Sequence, residues 1–242
     1  MTGQKDGFKG ERAYVLPPAY IAQLETHPIG KQLYLTDIGY YPTASNHLRQ
    51  RREPIEQWVL IYCRSGKGWY SIGGTKHDVG PDSYFVLPPG IPHAYAADSN
   101  DPWTIYWVHY KGTSAQMLTP HTVGPTAIRT SHNSRITDRI NLFEEIMSTL
   151  LHGYSIDALI YACSTLSYFL TTLKYIDNYR AAKPTENDGD KNGTDDTTDT
   201  VIRYMSENMD RQIRLADIAS YAGLTPTYLA HLFSERTGLS PM

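Results

Sequence analysis

QWVLIYC at 57–63, GWYSI at 68–72, SYFVLPP at 83–89 and WTIYWVHY at 103–110 are short runs of β-branched and aromatic residues. Gly, Pro, Asp and Asn separate them, which is the punctuation of consecutive strands. From about Gln32 to Tyr110 no helical periodicity interrupts this rhythm, and short strands at regular spacing predict a β-barrel. Gly66, Gly68, Gly73 and Gly74 bracket GWYSI and read as turn positions. No helix follows them, so they do not read as a phosphate-cradling loop.

Strand alternation divides WTIYWVHY into two faces. Trp103, Ile105, Trp107 and His109 share one; Thr104, Tyr106, Val108 and Tyr110 share the other. The Trp103 face is expected to point inward.

After Thr130 the period changes. Ile136, Ile140, Phe143, Met147, Leu150 and Leu151 form one apolar stripe; Ile156, Leu159, Ile160, Cys163, Leu166, Leu170 and Leu173 form a second. Both recur at three- and four-residue intervals, so two amphipathic helices are predicted, reversed through HGYS. The pair can pack on its own barrel or against a second copy of the chain. Residues 181–199, AAKPTENDGDKNGTDDTTD, carry no large apolar side chain and an excess of acid, and read as a flexible linker. Three parts follow: a barrel with its helix pair at 1–180, the linker 181–199, and a small all-α module at 200–242.

In that module Val201, Ile202 and Met205 begin a helix, LADIASYAG supplies a second, and Thr225-Pro226 provides the N-cap and first turn of a third. Gly223 ends the middle helix. Tyr228, Leu229, Leu232 and Phe233 are expected to be buried, with Thr227, Ala230, His231 and Ser234 facing outward. A helix, a glycine turn and a helix suit major-groove entry, although ordinary bundles contain the same pattern. Arg214 stands where a capping Ser or Thr would be expected, a loss of about 1 kcal/mol.

The whole chain has 242 residues, a net charge of -3 and 40% hydrophobic residues, enough for one large domain and a small one. A net charge near zero excludes only massive nonspecific attraction to nucleic acid. Cys63 and Cys163 lie far apart, without CxxC spacing, and read as packing residues. No leader-like apolar run opens the sequence and no later segment reads as a membrane span, so a cytoplasmic location is expected.

IRLADIASYAGLTPTYLAHLFSERTGLSP resembles the first helix-turn-helix of the AraC/XylS regulators, and GPDSYFVLPPGIPHAYAADSNDPWTIYWVHYKG is similar to the end of their cupin-like sensor domain. With the two helices, the resemblance covers nearly the whole chain. It implies a cupin-like barrel with a following helix pair, a ligand-responsive DNA-binding regulator, and a homodimer whose partners are operator DNA and a sugar or sugar derivative. Carried over by position, Thr227, Ala230 and His231 would reach the groove, His231 reading bases or phosphates. The effector would lie inside the barrel among Trp103, Trp107, His109 and His93, with Arg51 or Arg52 donating to its hydroxyls or to a carboxylate.

The family pattern continues into a connecting helix and a second helix-turn-helix, whereas this sequence stops at GLSPM. The part from Thr200 onward carries four basic and four acidic residues, so weak DNA binding by this chain alone is expected. His93 also matches the late histidine ligand of metal-bearing cupins. The close histidine pair and carboxylate such a site needs are missing from GWYSIGGTKHDVG, so neither an enzyme nor a cofactor is expected. The alternatives are a metal-dependent cupin enzyme and a sensing or dimerisation fragment without DNA binding of its own.

Overall fold

The computed structural model describes residues 3–121, 124–128, 134–182, 201, 205 and 214–237. They fall into two compact units, Met1–Pro184 and Thr185–Met242.

The first unit is built on two antiparallel sheets. Strands β1 (Arg12–Val15), β2 (Tyr34–Tyr41), β4 (Trp58–Ser65), β7 (Ser83–Leu87), β9 (Thr104–Lys111) and β10 (Thr126–Ala127) form the larger sheet, in the order β1-β2-β9-β4-β7-β10. The smaller sheet, β3-β8-β5-β6, holds β3 (Leu48–Arg51), β5 (Gly68–Ile72), β6 (Thr75–Val79) and β8 (His93–Ala97). The β-barrel expected from the strand rhythm, and the cupin-like form that the resemblance implied for it, are therefore present. Phe85 of one sheet stacks on Tyr70 of the other at 4.2 Å between ring centroids and 7° between planes, clamping the two layers.

Residues before Gln32, which showed no strand rhythm, add β1 and a helix, α1 (Pro18–Thr26). A short α2 (Ala115–Leu118) follows β9, and α3 (Ile136–Leu151) and α4 (Ile156–Lys174) match the two apolar stripes. The Ser155 hydroxyl caps α4 by accepting from the Ala158 N–H at 3.2 Å, and α5 (Ile176–Ala181) continues from its end. Ala181 and Ala182 are thus at the end of a helix, and the rest of the linker reading lies outside the described residues.

The larger sheet is buried on both faces. Val59, Ile61, Phe85, Leu87, Ile105 and Trp107 point into the barrel, whereas Ile38, Leu60, Tyr62, Val108 and Tyr110 pack beneath the helices with Phe143, Leu166 and Phe169. The helix pair therefore does pack on its own barrel. Contrary to expectation, α4 is long and apolar enough, by length and composition, to cross a membrane. Its apolar stripe instead lies in the core against β2, α1 and α2.

Two arginines, one exposed and one buried, brace the helices. Arg12 of β1 grips Glu144 of α3 with two hydrogen bonds of 2.6 and 2.7 Å, and the Tyr106 hydroxyl of β9 donates to the same carboxylate at 2.8 Å. This pair is partly exposed, while Arg139 of α3 is fully buried and donates to the Thr172 hydroxyl at 3.1 Å and the Thr172 carbonyl at 3.0 Å. Its charge also lies 4.5 Å from the centre of the Tyr179 ring, an interaction that offsets part of its desolvation.

Gly66, Gly73 and Gly74 take positive φ, as turn glycines do. Gly68 does not. It sits in β5, where a Cβ would come within 2.0 Å of the Trp103 ring, so its role is close approach rather than turning.

In the second unit, α6 (Leu215–Tyr221) and α7 (Pro226–Thr237) are joined by a tight turn. Gly223, at φ 67°, allows the Leu224 N–H to reach the Ala219 carbonyl at 2.8 Å, closing a Schellman motif. The Asp217 carboxylate accepts from the Arg214 N–H at 3.2 Å, which supplies half of a capping box where no capping side chain precedes the helix. Ile218, Ala219, Leu229 and Phe233 form the core with Val201. Tyr228 is 52% exposed, against the expectation of burial. Leu229 and Phe233, four residues apart, define the inward face of α7, and Tyr228 lies about 100° round the helix from Leu229.

Leu166 is fully enclosed between α3 and the larger sheet. Leu166→Ala should lower unfolding free energy by about 2–5 kcal/mol, measured by urea titration followed by tryptophan fluorescence.

Candidate ligand-binding site

The barrel encloses a cavity of about 290 Å³, counted to its open mouth. Its wall begins with β9, where Trp107 and His109 alternate inward beside Ile105. Across β9, Asp37 of β2 faces His109 and Gly39 faces Trp107.

A bulge makes that pairing possible. The β2–β9 register shifts between Leu35 and Asp37, so Leu35 joins the helix-facing core while Asp37 lies on the cavity side. A Cβ on Gly39 would stand 2.6 Å from the Trp107 indole, so glycine leaves the space the ring occupies.

Asp37 is secured by two neighbours. His109 Nδ1 lies 3.0 Å from Oδ1, and the Thr36 hydroxyl donates to Oδ2 at 2.6 Å. Burial pushes this carboxyl upward, but the hydrogen bond and charge of His109, the Thr36 hydroxyl and the charge of Arg51 together hold it below the ordinary aspartate range. Asp37 is therefore an anion at neutral pH.

Opposite lies the smaller sheet. Arg49 pairs in register with Tyr95 and Arg51 with His93, and the intervening Gln50 is exposed. Arg51 Nη1 donates to His93 Nε2 at 3.3 Å and to the Tyr95 hydroxyl at 3.2 Å. His93 Nδ1 meets the Ile91 carbonyl at 2.9 Å, which places the ring proton there and leaves Nε2 as the acceptor. Burial, aided by the charges of Arg51 and His109, lowers the His93 pKa against the opposing Ile91 hydrogen bond. A neutral His93 capped by a guanidinium has no free lone pair for a metal. Among the described residues no group of three or more His, Cys, Asp or Glu converges as a ligand set.

His47 occupies the rear of the cavity inside an aromatic ring. Phe8, Tyr41, Tyr95 and Trp103 surround it with centroids 5.3 to 5.9 Å away. Its Nδ1 accepts from the Trp103 indole at 3.2 Å, and burial followed by the charge of Arg49 pushes its pKa down to about 4. Near the mouth, Lys5 lines the cavity from the N-terminal segment, which Gln4 anchors beside His47 through main-chain bonds of 2.9 Å to Asn46 and Leu48.

Of the six residues expected at the ligand, Trp107 and His109 line the cavity, whereas Arg51 and His93 stand behind its lining, Arg51 bonded to the lining residue Tyr95. Trp103 is fully buried and acts through His47. Arg52 is exposed just past the end of β3, where the alternation that brings Arg51 inward turns it away. Asp37, Tyr41, His47, Arg49, Tyr95 and Lys5 were not foreseen. A charged residue inside the apolar strand YLTDIGYY and the R-x-R spacing of β3 were the available signals.

The two cysteines are buried apart from the cavity, and burial pushes their thiols up to about 12 for Cys63 and about 11 for Cys163. Neither is a nucleophile at neutral pH.

Residues 38–162 match the AraC-like ligand binding domain family, a span containing the cavity residues except Lys5 and Asp37. Over 231 residues the chain is 29% identical to the MmsAB operon regulatory protein of Pseudomonas aeruginosa, covering 94% of this chain and 71% of that one. It is 23% identical over 210 residues to the raffinose operon transcriptional regulatory protein RafR of Pediococcus pentosaceus, covering 84% and 72%. Among solved structures, the AraC-like transcriptional activator CuxR matches 86% of this chain and 70% of its own, with 14% identity and a TM-score of 0.35.

Because His47 is neutral when folded down to about pH 4 and charges when unfolded near pH 6.5, the unfolded state binds the extra proton between those values. Stability should therefore fall as pH drops through that window, by up to about 1.4 kcal/mol per pH unit from this residue. His47→Gln, which keeps an acceptor for Trp103, should flatten that part of the stability profile measured by denaturant titration at each pH.

Proposed function

We infer that this chain, which belongs to the AraC-like ligand-binding domain family, is an effector-responsive, sequence-specific DNA-binding regulator of transcription that works in the cytoplasm. The observation carrying this reading is the polar, aromatic-walled cavity inside the matched span. Its relatives are named as operon regulators, one of them for raffinose, which supports a sugar or sugar derivative as effector. The geometry supports binding rather than turnover, since Asp37 is held by His109 and Thr36, and His93 by Arg51 and Ile91.

The second unit supplies the DNA contact in this reading. On α7, Thr227 and His231 are exposed, Ala230 is half-buried, and His231 stands 3.8 Å from Glu235. The helix–Schellman turn–helix geometry suits entry into a major groove. Dimerisation through the α3–α4 layer is supported by Tyr161, Tyr168 and Tyr175, which recur at seven-residue spacing and are 52, 51 and 53% exposed. An effector acts in such a regulator by favouring one of two arrangements of sensor, N-terminal segment and DNA modules.

Selection of random-sequence duplexes by the chain, followed by fluorescence anisotropy on the enriched sequence, tests the assignment. A recurrent motif is expected, bound weakly because the module has little net charge. His231→Ala should reduce discrimination at one base position by about 1–3 kcal/mol without changing the fold. Enrichment of no motif over bulk DNA would overturn the DNA-binding role.

A further inference from the structure

The cavity carries more positive charge than its protein neighbours neutralise. Arg49 and Arg51 lie on the inward side of β3, where a barrel ordinarily buries apolar side chains, and both are half-buried. Lys5 stands at the mouth. Among the described residues none of these three cations lies within ion-pair distance of a carboxylate. The one carboxylate in the wall, Asp37, is held by His109 and Thr36.

A second observation is independent of charge. Trp107 is 8% exposed, lines the cavity, and its indole N–H is buried with no hydrogen-bond partner among the described residues. A buried donor left unmade costs free energy, and a native fold retains one where another molecule supplies the acceptor.

We propose that the effector is a small hydroxycarboxylate, a short hydroxy acid or a sugar acid, whose carboxylate is held by Arg49 and Arg51 and whose hydroxyl bridges Trp107 and Asp37. The assignment rests on the reading of this cavity as the effector site and narrows it to an anion. A guanidinium presents a planar fork matched to a carboxylate, and Arg51 commits only Nη1 to His93 and Tyr95 among the described residues. A hydroxyl both accepts and donates, so one group satisfies the indole N–H and a remaining lone pair of Asp37. Asp37 also sets an upper limit on charge, because its own anion opposes a dianionic group placed beside it. Closing Lys5 over the mouth adds a third cation on the solvent side.

The test is the melting temperature of the full chain against matched pairs at constant ionic strength: glycerate beside glycerol, lactate beside lactamide, galacturonate beside galactose, with inorganic phosphate as a further arm. At least one acid should raise the melting temperature saturably while its neutral twin does not. Arg51→Gln and, separately, Arg49→Gln should weaken that acid by about tenfold or more, read from the ligand-induced shift above each variant's own unliganded melting temperature. Trp107→Phe should weaken the hydroxy acid but not its deoxy analogue. Equal stabilisation by a neutral twin, or undiminished affinity in both arginine variants, would overturn the anion assignment and leave the effector site standing. A response to phosphate alone would overturn the carboxylate. A flat response to every compound would remove both the assignment and the cavity's role as effector site.

Discussion

Burial of the larger sheet on both faces is the constraint from which the first unit follows. A strand exposed to solvent on one side can alternate apolar and polar residues; β9 cannot, because barrel and helices both exclude water from it. Its polar groups must find partners. Tyr110 bonds Thr119 at 2.7 Å, Tyr106 bonds Glu144, and His109 bonds Asp37, each tying the strand to a different element. Trp107 alone among these polar groups lacks one.

The same exclusion of water sets the electrostatics of the cavity. Burial keeps His47 and His93 neutral, and the arginines beside them reinforce that effect. Positive charge is thereby concentrated on side chains that do not titrate near neutrality, while the single nearby carboxylate is kept ionised by His109 and Arg51.

Much of this was legible in the sequence. The inward face of WTIYWVHY and the two helices after Thr130 depend on period alone, and period survives folding. The Asp37–His109 pair was not legible because a bulge at Thr36 changes which residues of YLTDIGYY share a face, and no local pattern announces a bulge. Arg51 and Arg52 look interchangeable as letters; one step of strand alternation separates a half-buried residue from an exposed one. Trp103 was expected to touch the ligand, but its packing over Gly68 and its bond to His47 make it a support. The entry of Lys5 depends on a contact between segments more than forty residues apart, which no spacing rule reports.

Tyr106 and Trp107 are consecutive residues of β9, yet one is anchored to α3 through Glu144 and the other forms a wall of the cavity. The cavity wall and the footing of α3 are thus a single peptide unit apart. A hydrogen-bonded strand moves as a rod rather than residue by residue, so a tilt that widens the cavity displaces the footing of α3 by the same motion. Barrel wall and helix layer share this one strand, and no relay of side chains stands between them.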